Sequence, residues 1–157
     1  MINIIVACDL NKLIGKNGKL PWNIKEDWDY FLETTSGGTL IMGRHCYKEF
    51  EDHAKERSVI ALSQNPQIEF PYAQKAHSLS ESLAMASTLN QTIWICGGRE
   101  IYKEALSHAD HLYLTEIQAE FTGDVYLPSW EEYFPNEISR KSIQTDSLEL
   151  IFRVLTK

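Results

Sequence analysis

The sequence predicts an α/β protein. It is read as one domain with a mostly parallel central sheet of about eight strands, an antiparallel C-terminal strand and about four flanking helices. Three observations carry this prediction. Strand-like and helix-like segments alternate over the first two thirds of the chain. The strand-like segments are apolar without alternation, as strands covered on both faces are. The last third loses helical periodicity and carries strand patterns at about Glu137–Ile143 and Leu148–Leu155, which suit an antiparallel end to the sheet.

In order, Ile2–Cys8 reads as a buried strand, and Asp9–Pro21 as a loop with Gly15, Gly18 and two Asn. Asn23 is the expected N-cap of a helix from Lys25 to about Thr35. Thr39–Met42 is a short strand ending at Gly43, and a helix starts over Arg44–Phe50. Ser58–Ser63 is the next strand. Ser78 to about Leu89 is a helix with Ser80 at or near its cap, and Thr92–Cys96 is a strand. Gly97-Gly98 turns into a helix over Glu100–His108, and Leu112–Ile117 is a further strand. There is no repeat, low-complexity tract or linker, so residues 1–157 are expected to form a single domain with a real core.

Composition narrows the function. The chain is 43% hydrophobic and 24% charged, ordinary for a soluble globular protein. No apolar run reaches membrane-spanning length. No basic region precedes the first apolar run and Asp9 ends it early, so no signal peptide is expected. Three cysteines, Cys8, Cys46 and Cys96, lie in or beside apolar segments and read as reduced thiols of a cytoplasmic protein. No C-x-x-C or paired Cys/His spacing supports a metal site. The net charge of −7 argues against nucleic acid or an anionic membrane as partner, so an anionic ligand needs local Arg or Lys.

Four strand ends carry ligand-competent residues: Asp9 onward, Gly43-Arg44, Ser63 and Gly97-Gly98. In parallel sheets ligands bind beyond the carboxyl ends of the strands, which places all four on one rim. Gly97 and Gly98 allow close backbone approach to a phosphate at a helix start, or form a plain tight turn. In Met42-Gly43-Arg44-His45 the guanidinium suits phosphate, or is simply a solvated basic group. The helix after Pro21-Trp22 holds the least ordinary residue. Ile24, Trp28, Phe31, Leu32 and Thr35 form one stripe at helical spacing, and Asp27 edges it. Glu26 and Asp29 read as first-turn acids that favour the helix dipole. A carboxylate among aromatics instead needs a partner or a proton, and a ligand can supply either.

Taken together, in this order and spacing, these segments resemble dihydrofolate reductase over nearly the whole chain. The resemblance rests on Ile14-Gly15, Leu20-Pro21-Trp22, Asp27, Phe31 and Ile41-Met42-Gly43-Arg44-His45. It continues through Arg57, Ile60-Ala61-Leu62-Ser63, Gly97-Gly98 with Ile101-Tyr102, Leu112-Tyr113-Leu114-Thr115, and Gly123-Asp124 ahead of Pro128. It implies NADPH-dependent reduction of 7,8-dihydrofolate to tetrahydrofolate for one-carbon metabolism, by a monomeric cytoplasmic enzyme of a family that antifolates target. The alternative within the fold is the NADPH-dependent pyrimidine reductase of riboflavin synthesis, against which the L-P-W loop and Asp27 argue.

The resemblance also implies roles. Asp27 would hold the pterin, with Trp22 and Tyr102 completing the catalytic group. Ile5, Cys8, Leu20, Trp28, Phe31, Phe50, Cys96 and Thr115 would line the substrate site, with Thr115 bracing Asp27, and Arg57 would take the tail carboxylate. Ala7, Ile14, Gly15, Gly43, Arg44, His45, Cys46, Leu62, Ser63, Gln64, Gly97, Gly98, Arg99, Glu100, Ile101 and Tyr102 would bind the cofactor, with a cis bond between the two glycines. The chain departs from the family pattern at Glu51–Glu56, which could continue the preceding helix. It also departs at Ala54, at Trp28, which is large enough to compensate for Ala54, and at Cys46, Arg99 and Glu100.

Overall fold

A computed structural model describes residues 1–157. Strand β1 (Ile2–Cys8) shows how the sheet is sandwiched. Its side chains alternate in direction, and both directions are apolar. Ile4, Val6 and Cys8 enter one core together with Leu79 and Ala105, whereas Ile5 enters a second core with Tyr47 and Phe50. The larger core packs under helices α3 (Leu79–Ser87) and α4 (Arg99–Ala105), and the smaller under α1 (Lys25–Thr34) and α2 (Arg44–Ala54).

Besides β1, the main sheet contains β3 (Thr39–Gly43), β4 (Ser58–Leu62), β5 (Gln74–Ala76), β6 (Ile93–Ile95), β7 (His111–Ile117), β9 (Asn136–Gln144) and β10 (Glu149–Thr156). Its order is β5-β4-β3-β6-β1-β7-β10-β9. All pairings are parallel from β5 to β7, and β10 runs antiparallel to both β7 and β9. This is the predicted architecture. Two features escaped the reading. β5 is a polar three-residue edge strand without apolar signal, and β2 (Leu13–Gly15) pairs with the distant β8 (Val125–Tyr126) in a separate two-stranded sheet.

Helix ends also differ in detail. The N-cap of α1 is Ile24, not Asn23, and it makes no side-chain capping bond. Ser78, not Ser80, caps α3, its hydroxyl accepting the Glu81 amide at 3.0 Å. α2 does continue through the acidic stretch, to Ala54. α4 runs from Arg99 to Ala105, one residue earlier at its start and three shorter at its end than expected.

The loop after β1 is more ordered than its composition suggests. Asp9 is buried, and its carboxylate accepts the amides of Asn11 at 2.8 Å, Leu13 at 2.9 Å and Phe121 at 2.8 Å. It is a fastening for the loop rather than a ligand group. Lys16 and Lys19 exchange backbone hydrogen bonds across Asn17 and Gly18, which have φ of 51° and 79°. Positive φ at both central positions makes this a type I′ hairpin, the turn that Asn-Gly favours.

Candidate active site

Helix α1 has an apolar stripe but buries none of its residues. Trp28, Tyr30, Phe31 and Leu32 are only half-covered where they lean on the smaller core. The uncovered part of the stripe forms one wall of a cleft of about 260 Å³ at the carboxyl ends of the central strands. Ile5 and Ala7 of β1 and Cys96 after β6 form its floor, with Thr115 of β7 beside them; Phe50, Cys46 and His45 of α2 stand opposite α1. Trp28 stacks on Phe31 with centroids 5.5 Å apart, and Phe31 meets Phe50 edge-on at 5.7 Å. The aromatic end of the cleft is thereby fixed in shape.

Asp27 opens onto this cleft. No Lys, Arg or His forms an ion pair with it. Burial pushes its carboxyl from the ordinary 3.8 up to about 6, only partly drawn back by the neighbouring Trp22. The Trp22 indole N–H is buried and completes no hydrogen bond, to Asp27 or to any other group. Thr115 is buried in the same wall but makes no direct hydrogen bond to Asp27. The site thus offers a carboxylate poised near neutrality, an unused indole donor beside it, and apolar walls. Such a site suits a flat, partly cationic heterocycle with adjacent N–H donors.

The other half of the cleft is built from backbone. Gly43 ends β3 and caps α2 without a side-chain bond, and its amide donates to Gly97 O at 2.9 Å. The two glycine-bearing strand ends are therefore neighbours. The Gly97-Gly98 bond is cis, and Gly97 has φ of 120°, a conformation that side chains disfavour. A Cβ on Gly97 would lie 3.0 Å from Cys46 Sγ and 3.1 Å from Tyr102 Oη, whereas one on Gly98 would meet nothing within 4 Å. Tyr102 is buried, and its hydroxyl lies 2.9 Å from Ile5 O and 2.8 Å from Cys96 O, bridging the strands under the glycine turn. The open face above Gly98, the uncapped start of α2 and the exposed Arg44 and His45 beside it fit an extended diphosphate-bearing cofactor.

Most expected residues meet in the cleft: Ile5, Ala7, Ile14, Gly15, Leu20, Asp27, Trp28, Phe31, His45, Cys46, Phe50, Cys96, Gly98, Arg99, Tyr102 and Thr115. Trp22 lines an adjoining cavity that shares Asp27. Cys8 does not reach the cleft, because strand alternation points it into the larger core, where burial raises its thiol to about 12. Gly43, Gly97 and Ile101 lie behind the wall, and Arg44, Leu62, Ser63, Gln64 and Glu100 lie outside it. Arg57 is likewise outside the wall and uses two of its N–H donors on α1: Nη1 reaches Thr35 Oγ1 and Nη2 reaches Leu32 O, each at 2.9 Å. Arg99 pairs with Glu100 at 2.8 Å. The sequence reading missed Val6, Gly18, Lys19, Tyr30, Met42, Glu49 and Val125 in the wall. Glu49 lies one turn after His45 on α2, a spacing that was legible; Val125 arrives only through β8.

A family model described as Dihydrofolate reductase matches residues 1–157. The chain is similar to dihydrofolate reductase of Bacillus subtilis (strain 168), 36% identical over 132 residues, covering 84% of this chain and 78% of that one. It is 32% identical over 158 residues to dihydrofolate reductase of Haemophilus influenzae, covering 99% and 98% of the two chains. Among solved structures it is similar to dihydrofolate reductase from Enterococcus faecalis complexed with NADP(H) and RAB-propyl, with TM-score 0.91, 29% identity, and coverage of 99% and 95%.

Proposed function

The chain belongs to the dihydrofolate reductase family and is an oxidoreductase that reduces 7,8-dihydrofolate to 5,6,7,8-tetrahydrofolate with NADPH, and we propose that Asp27 is the residue on which its cleft performs that reaction. The observation that carries this role is the unpaired carboxylate held near neutrality in an apolar wall. The pterin amino group and ring N–H donate to its two oxygens, a bidentate pair that supplies the missing partner. The resulting anion favours a protonated and more electrophilic ring. Asp27 contacts the ring edge remote from the bond that is reduced, so it anchors and polarises rather than delivering the proton itself.

NADPH, when bound, supplies the hydride. The protein's part is to place two rings against each other and keep water out. Trp28, Phe31 and Phe50 hold the benzoyl portion of the substrate, and Leu20 and Trp22 close the pterin end. Arg57, already oriented by Thr35 and Leu32, presents its remaining N–H groups to the tail carboxylate. Gly97, Gly98, Arg44 and His45 receive the dinucleotide, with Ser63 and Gln64 toward its 2′-phosphate. Tyr102 positions the floor by joining Ile5 and Cys96.

The enzyme works as a monomer in the cytoplasm and supplies tetrahydrofolate for one-carbon metabolism; none of its helices is long and apolar enough to cross a membrane. The deciding experiment incubates protein and NADPH with dihydrofolate or with the pyrimidine substrate of riboflavin synthesis and follows loss of NADPH absorbance. Turnover of dihydrofolate alone is expected, and its absence would overturn the assignment.

A further inference from the structure

The type I′ hairpin and the Leu20 that follows it close one side of the cleft, and they are fastened at two points. At the first, Asp124 Oδ1 accepts the Asn17 amide at 3.1 Å, while the Asp124 amide donates to Gly15 O at 3.0 Å. At the second, on the opposite flank, the Leu20 amide donates to Glu49 Oε1 of α2 at 3.1 Å. We infer that Glu49 is a positioning residue: by holding Leu20 it keeps the loop down against α2, over the half of the cleft assigned to folate. The inference rests on that assignment, since a cover matters only where substrate binds.

Chain chemistry makes Leu20 the effective point of attachment. Pro21 has no N–H, so the Leu20 amide is the last main-chain donor before the buried Trp22. Holding it fixes where the chain turns down toward Asp27. Glu49 and Leu20 both line the main cleft, and both line the adjoining cavity of about 400 Å³ with Trp22, Asp27 and Trp28. Their hydrogen bond therefore spans the seam between loop and helix. One turn earlier on α2, the His45 ring lies so close to Gly18 that a Cβ there would come within 3.1 Å of Nδ1. α2 thus meets the loop twice at i and i+4 spacing, first by packing and then by a charge-assisted hydrogen bond. Partial burial raises the Glu49 carboxyl, and the Leu20 amide, Lys19 and His45 draw it back. Unlike Asp27, Glu49 already has an internal partner.

Lys16 and Lys19 are exposed on the hairpin, so limited trypsin digestion of the unliganded protein reads its opening directly. Glu49→Ala is expected to be cleaved at these lysines about three- to tenfold faster than wild type, the range an ordinary net hydrogen bond gives once exposure screens the charge. Glu49→Gln retains the accepting oxygen and is expected to restore most of the protection. Asp124→Ala sets the scale for loss of the other fastening, and circular dichroism checks that each variant is folded. In steady state, Glu49→Ala is expected to raise KM for dihydrofolate by more than it changes kcat. Cleavage of Glu49→Ala at the wild-type rate would overturn the inference, as would a fall in kcat with KM intact. Digestion uses no substrate, so its outcome is separate from whether the wild type turns over dihydrofolate.

Discussion

Helices α1 and α3 are of similar length, ten and nine residues, but are held in opposite ways. α3 is complete within the protein: Ser78 caps it, and Leu79, Ser82 and Ala86 are buried. α1 has no side-chain cap and no buried residue, and it carries Asp27 in its apolar stripe. It is secured from outside, by Arg57 bonding to Leu32 and Thr35 near its C-terminal end. α3 stabilises the fold. α1 leaves surface uncovered and a charge unpaired for a ligand to complete. Residues on the two helices should therefore separate in what their replacement damages.

The largest effect is expected on α1 and in activity. Asp27→Asn should lower turnover at pH 7 by about 10²–10³-fold, the scale on which a preorganised electrostatic group acts. NADPH affinity, measured by fluorescence titration, should change little, and some activity should return at lower pH where the substrate protonates in solution. Equal turnover of variant and wild type at pH 7 would refute the role. On α3, Leu79→Ala should lower stability by about 2–5 kcal/mol in urea denaturation, with activity per folded molecule retained. Trp28→Ala should invert this pattern, raising KM for dihydrofolate more than it lowers stability. If both variants lost stability alike, the contrast between the helices would fail.

A third effect runs against ordinary expectation. The Asp27 carboxyl rises from 3.8 to about 6 on folding, so the folded protein prefers it protonated. This favourable contribution is present below about pH 4 and is lost as pH rises through about 6. At pH 7 the charged group destabilises the unliganded protein by at most about 3 kcal/mol. Asp27→Asn should therefore be more stable than wild type at pH 7, with the gap closing toward pH 4, in paired urea titrations. A gap that did not change with pH would contradict the partial burial of an unpaired carboxylate. Smallest is the cap: Ser78→Ala should cost about 1 kcal/mol in the same assay, without loss of turnover.

How much was legible follows from the same contrast. β1, β3, β4 and β6 declared themselves because strands covered on both faces are continuously apolar. The stripe of α1 was visible as a period, and Asp27 as an exception within it. Asn23 misled because capping propensity is local, whereas the start of α1 is set by the descent from Pro21 through the buried Trp22. Cys8 was assigned to the substrate site by resemblance although strand alternation points it away. β5 carried no signal because its three residues commit only one side chain, the small Ala76, to the core. Glu49 follows from His45 by one turn of α2, whereas Val125 reaches the cleft through the pairing of β8 with the distant β2, which no local pattern encodes.

The two margins of the sheet have a consequence for the crowded solution in which the protein is made. One margin ends in β5, three residues long, and the other in β9, nine residues long and almost wholly exposed. An edge strand of that length, paired with β10 on one side only, is a template on which another chain can add. Glu137, Arg140 and Lys141 lie along it, and Glu137 is tied to both Arg140 and Arg153. An incoming strand would have to strip water from these charges and disturb their pairing. The margin is thereby guarded against fibrous self-addition, and neutralising Arg140 and Lys141 should expose that hazard.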